Sequence, residues 1–330
     1  MKKFTYRVGV DVSKSTLDMH CAEHNEHIKI TNDSAGFKRF VKWLKDLQIP
    51  CDDILIALEF TGGYEYRFLK FCESKNIAYT RIPGLAIKRS LGIVRGKNDK
   101  IDAYRIAQYA DEKQKTLTPS RPLNPTISAL KEALGLRKRL VRENAGYKGT
   151  ILSRKTMYDS GSNDFHIKIL TKNLNQNKAL IESIDAEIKR IILSDSAISF
   201  NYMLLTSIKG IGMVNAAMTI AYTENFIAFK NARSYAVYVG VVPFEYSSGS
   251  SLNGRKRISP IANKELKQEL NQAAKSAIQW SEEIKEYAER LIERKHDRII
   301  LNNVKFKLIT RMFAVVKRRE IYVDNYKKKA

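Results

Sequence analysis

Cysteine, proline, tryptophan and histidine are all sparse in this chain, and no long apolar run interrupts it. The three cysteines are Cys21, Cys51 and Cys72. An odd count with no Cys-x-x-Cys spacing excludes a disulfide framework and a zinc knuckle, and predicts free thiols in a reducing compartment. The five histidines do not cluster with them. No apolar stretch approaches the roughly 20 residues a membrane span needs. The opening Met1-Lys2-Lys3-Phe4-Thr5-Tyr6-Arg7 lacks the apolar core of a signal peptide. A cytoplasmic location and no membrane partner are expected. Acid is scarce as well, with 35 Asp and Glu against 58 Lys and Arg.

What is present is a globular, strongly basic chain. Its 330 residues suggest two domains, and 44% hydrophobic residues supply cores for them. The net charge is +23, and positive charge is in excess over 1–110, 111–200 and 201–330 alike. A field of this sign and size attracts polyanions, nucleic acid first among them.

The pattern along the chain predicts mixed α/β structure followed by helices. Residues 6–12 read as a buried strand, 16–30 as hairpin strands, and 54–58 and 78–82 as short apolar strands. A helix capped by Asn32 or Ser34 should run to Leu47, with Phe37, Phe40, Val41 and Leu44 on one face. Gly62-Gly63 should open a helix to Ser74, Pro83-Gly84 should stop the strand before it, and a helix should run from Asp99 to Lys113. Pro119, Pro122 and Pro125 punctuate a linker. Ile127–Tyr158 and Phe165–Leu193 carry leucine and isoleucine at spacings of three and four, the pattern of an antiparallel coiled coil. The expected divisions are 1–118, 119–198 and 199–330.

Four carboxylates stand out against the basic background. Asp11 ends the first apolar strand and Glu59 ends the strand Ile54-Leu55-Ile56-Ala57-Leu58. Asp99 and Asp102 are three apart at a helix start, so they share a face. An acid in a buried strand needs a partner. Four acids from two strands and one helix would converge on hard divalent cations, Mg²⁺ for choice, because Mg²⁺ demands oxygen ligands. Two such ions would suit phosphodiester chemistry. Read singly, Asp99 and Asp102 are also ordinary helix-start acids.

The runs Gly9-Val10-Asp11-Val12-Ser13-Lys14, Glu59-Phe60-Thr61-Gly62-Gly63-Tyr64 and Arg95-Gly96-Lys97-Asn98-Asp99-Lys100-Ile101-Asp102-Ala103 resemble the signature of the DEDD transposases of bacterial insertion sequences, relatives of the Piv DNA invertase. The resemblance implies a RuvC-like, RNase H type N-terminal domain with Asp11, Glu59, Asp99 and Asp102 as its metal-binding tetrad. It adds Lys14, Arg95 and Lys97 as nucleic-acid contacts beside that tetrad.

Further on, Leu204 to Ala217 reads as helix, Gly-x-Gly turn, helix. Such a helix-hairpin-helix would let Gly210 and Gly212 bring backbone N–H groups close to DNA phosphates, although a plain helical turn has the same pattern. The block Val239 to Arg257 is a serine-rich polar loop in its own right. By resemblance it is the family's C-terminal serine domain, with Ser248 as nucleophile, Ser247 as the alternative, and Arg255, Lys256 and Arg257 near phosphates. The family's Lys and Gly after the loop are missing, since Ser259-Pro260-Ile261-Ala262-Asn263 stands there, and Leu266-Lys267-Gln268 replaces an arginine pair.

Lys305, Lys307, Arg311, Lys317, Arg318 and Arg319 make the last helix read as basic, either a solvated face or a nucleic-acid track. Trp43 and Trp280 read as packing residues. Together these readings predict an α/β plus all-α protein: a RuvC-like domain, a long coiled-coil arm and a helical serine domain. The resemblance implies a recombinase acting on element ends and target DNA, guided by a structured noncoding RNA, as homodimers assembling into a tetramer. The alternatives are a RuvC-like structure-specific endonuclease that uses water, and a nucleic-acid-binding protein without chemistry.

Overall fold

A computed structural model of the chain describes residues 3–60, 62–90, 98–158, 164–243 and 261–324. It divides into two compact units, Met1–Leu123 and Asn124–Ala330. The first unit runs β1 (Tyr6–Val12), β2 (Thr16–Cys21), β3 (Glu26–Thr31), α1 (Ser34–Asp46), β4 (Ile54–Glu59), α2 (Tyr66–Ser74), β5 (Ala78–Ile82), α3 (Gly84–Ser90) and α4 (Asp99–Glu112). Its five strands lie in the order β3-β2-β1-β4-β5. The pairs β3–β2 and β2–β1 are antiparallel, and β1–β4 and β4–β5 are parallel. This mixed sheet is consistent with the expected RNase H-like domain.

The strand period of two divides the sheet cleanly. Val8, Val10 and Val12 of β1, with Ile54, Ile56 and Leu58 of β4, point to a core filled by Phe37, Phe40 and Leu44 of α1 and Phe68, Leu69 and Cys72 of α2. The intervening residues, Gly9 and Asp11 on β1 and Ala57 and Glu59 on β4, therefore take the opposite face. There Ala57 and Ile82 pack with Ile87 of α3 and with Ile106 and Ala110 of α4.

Two local expectations are corrected. The cap of α1 is Asp33, whose Oδ1 accepts the Gly36 N–H at 2.9 Å. Asn32 instead donates to the carbonyls of Ser13 (3.1 Å) and Tyr64 (2.9 Å), tying the β1–β2 turn to the segment after β4. Pro83-Gly84 ends β5 as expected but also opens α3, with the Pro83 carbonyl accepting the Ala86 N–H.

The second unit runs α5 (Pro125–Tyr158), α6 (Phe165–Leu193), α7 (Ser196–Thr206), α8 (Met213–Thr223), α9 (Ala232–Val239), α10 (Lys264–Trp280), α11 (Glu282–Ile292) and α12 (Asp297–Arg318). Helices α5 and α6 are antiparallel, since Arg137 bonds Asp185 (2.6 Å) and Arg154 bonds Asp164 (3.0 Å). Their inner ends join α7 to α12 around one core, including Leu130, Ile188, Leu205, Tyr235, Leu270 and Leu308. Trp280, read as a packing residue, ends α10 at 67% exposure.

Candidate active site

The site is built by one close contact. A Cβ at Gly9 would lie 2.2 Å from the Ala107 backbone nitrogen and 2.3 Å from the Ala103 carbonyl oxygen. Only glycine lets α4 lie this close to β1. Two residues further on the same face stands Asp11, and the helix lying there begins with Asp99 and Asp102. Asn98 fixes that beginning, its Oδ1 accepting the Ile101 N–H at 2.8 Å. The helix start itself favours negative charge.

The sheet adds a cross-strand row. Asp11 pairs with Asp18 of β2, and Asp18 with Lys29 of β3. On the other side the β1–β4 register, whose last pair is Val10 with Leu58, sets Asp11 level with Glu59. Lys29, Asp18, Asp11 and Glu59 thus succeed one another across four strands. The Glu59 carboxylate rests against the start of α3: a Cβ at Gly84 would lie 1.8 Å from Glu59 Oε1. Burial, followed by the charges of Asp99, Asp102, Asp18 and Glu59, pushes the Asp11 carboxyl up from 3.8 to about 6. All four expected acids, and a fifth, therefore share one electrostatic neighbourhood.

They do not close around one centre. Among the described residues no three His, Cys, Asp or Glu side chains stand together closely enough to hold a metal ion. The chain's own cations occupy the acids instead. Lys29 Nζ lies 3.1 Å from Asp18 and 3.8 Å from Asp99. Arg105 lies 3.0 Å from Asp102. Beside them the His27 ring shares a 3.0 Å hydrogen bond with Asp18 through Nε2. Hydrogen bonding to Asp18 holds the Lys29 ammonium above the ordinary lysine range. The donor set nevertheless suits a hard divalent cation, because every candidate ligand is a carboxylate oxygen. The mutual repulsion felt at Asp11 is what such a cation relieves.

Asp18, His27 and Lys29 are the residues that sequence reading passed over. Asp18 is a carboxylate with only 5% of its side chain exposed. The sign was available: in Thr16-Leu17-Asp18-Met19-His20-Cys21 an acid and a histidine share one face of a strand. Which acid they would meet depended on the hairpin register.

The remaining expected site residues fall in three groups. Lys14 is exposed in the β1–β2 turn, next to Ser13, whose hydroxyl bonds Thr16. Arg95, Lys97, Ser247, Ser248, Arg255, Lys256 and Arg257 lie outside the described residues. Gly210 and Gly212 sit in the α7–α8 turn with different surroundings. Gly210 has φ +95°, and a Cβ there would come within 2.8 Å of the Ala273 carbonyl of α10. The space it leaves is used inside the fold. Gly212, the N-cap of α8, has nothing within 4 Å of its Cβ position and no side-chain cap over the helix start.

A sheet carrying an acid row under an acid-started helix, in a basic chain, is consistent with a nucleic-acid-processing protein as its class. Comparison with known proteins makes this specific. A family model for DEDD transposases of the IS110 type matches residues 8–153, and one described as transposase IS116/IS110/IS902 family matches residues 202–289. The chain is similar to a probable family 20 transposase of Pseudomonas aeruginosa, 24% identical over 287 residues that cover 78% of this chain and 79% of that protein. It is also similar to a putative transposase of Sinorhizobium fredii, 22% identical over 273 residues, 74% of this chain and 66% of that one. The chain belongs to the DEDD-type IS110 transposase family. Membership makes it, in general terms, an enzyme of DNA cleavage and strand transfer. No helix among the described residues is long and apolar enough to cross a membrane.

Proposed function

We propose that the chain is a recombinase that cuts and rejoins the DNA of a bacterial insertion sequence, using Asp11, Glu59, Asp99 and Asp102 to hold divalent cations and a serine hydroxyl as nucleophile. The single observation that carries the reading is the acid row, in which Asp11 is flanked by Glu59 and Asp18 on neighbouring strands and faced by the acids that open α4. Bound Mg²⁺ would lower the pKa of the attacking hydroxyl and offset charge on the leaving oxygen. The chain's own residues have separate tasks. Glu59, set against Gly84, is held at one side of the row. Lys29 and Arg105 balance the acids and keep Asp99 and Asp102 oriented. The nucleophile is Ser248, with Ser247 as the alternative. Its oxygen would bond to phosphorus, the P–O bond to deoxyribose would break, and the freed deoxyribose oxygen would gain the proton that serine loses. The resulting phosphoserine link retains the bond energy, so a second DNA hydroxyl regenerates serine without ATP.

Exposed aromatic residues beside Glu59 support a nucleic-acid surface. Phe60, Tyr64 and Tyr66 are all exposed, with Arg81 stacked over the Phe60 ring at 5.9 Å. They would hold unpaired bases by stacking. The outer ends of α5 and α6 leave Leu152, Met157, Tyr158 and Phe165 exposed. That apolar tip supports the use of the helix pair as a contact between subunits, in the dimers and tetramers that strand exchange requires. A structured noncoding RNA is the further partner this reading carries, choosing DNA sites by base pairing.

The test is a strand-transfer assay on DNA carrying the element ends, with Mg²⁺ and denaturing gels to trap a covalent protein–DNA adduct. Wild type should give the adduct, Ser248→Ala should lose it, and Asp11→Asn should lose both adduct and cleavage. Cleavage that survives in Ser248→Ala and Ser247→Ala alike would make water the nucleophile. Cleavage that survives in Asp11→Asn would remove the acid row from the chemistry. Sequencing nucleic acid that copurifies with the chain addresses the RNA partner.

A further inference from the structure

Lys305 is in the wrong place for a surface lysine. It belongs by sequence to the basic residues of α12, yet it is 2% exposed. Its neighbours in the chain, Val304, Leu308, Ile309 and Met312, are all core residues. Lys307 and Arg311, from the same basic set, reach Glu283 at 3.8 and 2.7 Å. Lys305 makes no such pair among the described residues. The charge acting on it is a second cation, Lys267 of α10, the helix packed against α12. Burial and then that repulsion push the Lys305 ammonium down to about 8, and burial also lowers Lys267.

A lysine buried without an acidic partner and repelled by a second, half-buried cation destabilises the fold that holds it. A leucine or methionine at 305 would fill the same core without that cost. An anion seated between the two lysines offsets both the desolvation and the repulsion, and Lys305, still largely protonated at pH 7, stays ready to receive it. Phosphate suits the site, because several of its oxygens accept hydrogen bonds at once and lysine binds it as a point charge. The location agrees. Lys267 stands one turn into α10, whose N-cap Asn263 accepts the Leu266 N–H at 3.1 Å, and helix starts favour anions. In sequence α10 directly follows the serine-bearing stretch that ends near residue 260.

We propose that Lys267 and Lys305 form a seat for a phosphate group, filled in the working protein by a backbone phosphate of nucleic acid. The nucleic-acid source rests on the transposase reading, whereas the phosphate chemistry does not.

The test uses the full chain and Lys305→Met, with Lys267→Gln as a second variant on the half-buried partner. In one arm, sodium phosphate replaces sodium chloride at matched ionic strength and the melting temperature is followed. Wild type should gain stability in phosphate and Lys305→Met should not, while Lys305→Met in chloride melts at or above wild type. In the other arm, affinity for a DNA duplex is measured across salt concentrations. Both variants should bind more weakly, by about tenfold for Lys305→Met, and the salt slope should fall by about one. Equal stabilisation by phosphate in wild type and both variants would overturn the seat. Loss in the phosphate arm alone would keep the seat and overturn nucleic acid as its source. Should Lys305→Met fail to fold, Lys267→Gln decides both arms by itself. The outcomes separate from the transposase reading: an inactive wild type whose variants lose phosphate binding sinks that reading and leaves the seat standing.

Discussion

Asp11 carries the conflict on which the site turns. Its carboxyl titrates near 6 in the folded chain against 3.8 for a free aspartate. The folded state therefore binds more protons than the unfolded state between about pH 4 and pH 6, and stability falls as pH rises through that window. Above it the penalty is complete. A shift of this size corresponds to about 3 kcal/mol, but the carboxyl is half-open to water, which reduces the expected penalty to on the order of 1 kcal/mol. Asp11→Asn should accordingly raise the denaturation midpoint at pH 7.5 without metal, and leave it unchanged at pH 4. Mg²⁺ should stabilise wild type and do less for the variant. A loss of stability in Asp11→Asn at pH 7.5 would show that packing, not charge, dominates at this position. Residue identity made Asp11 and Glu59 legible, because an acid closing an apolar strand has to be explained. It did not reveal Asp18 or Lys305, since both depend on what lies across a register or behind a helix. Lys305 in particular reads as one more cation in a basic helix until its burial is known.

Elements were easier to read than the joints between them. Each long apolar period became the helix or strand expected, from β1 through the α5–α6 pair. The joints required contacts that no pattern contains. Gly9 is the clearest case: in sequence it is a small residue in a strand, and in the fold it is the point where α4 docks. Gly9→Ala should push α4 off β1, because its methyl group meets backbone atoms that cannot rotate away. We expect a loss of about 3 kcal/mol or more, seen in chemical denaturation, together with loss of any Mg²⁺-dependent stabilisation, since Asp99 and Asp102 move with the helix. Gly84 is the contrasting joint. A methyl there meets the end of the Glu59 side chain, which can swing aside. Gly84→Ala should therefore weaken Mg²⁺-dependent stabilisation while costing less stability than Gly9→Ala. Equal costs for the two would mean that Glu59 is as fixed as the backbone of α4.

At the scale of the whole chain, two cores carry two separate charge problems. The unit Met1–Leu123 crowds acids around Asp11 against a few of its own cations, and the unit Asn124–Ala330 buries Lys305 with no acidic partner among the described residues. A net charge of +23 makes the second problem worse and the first milder, because surplus cations such as Lys29 are at hand to balance acids. A ligand that binds only the native state stabilises the unit that holds it. Units with their own cores tend to unfold in their own transitions. Calorimetry of the full chain should then show two transitions with different ligand responses: Mg²⁺ should raise one, phosphate at matched ionic strength the other, and Asp11→Asn and Lys305→Met should each abolish one response and spare its counterpart. If both ligands move a single shared transition, and either variant blunts both responses, the two units fold as one cooperative body.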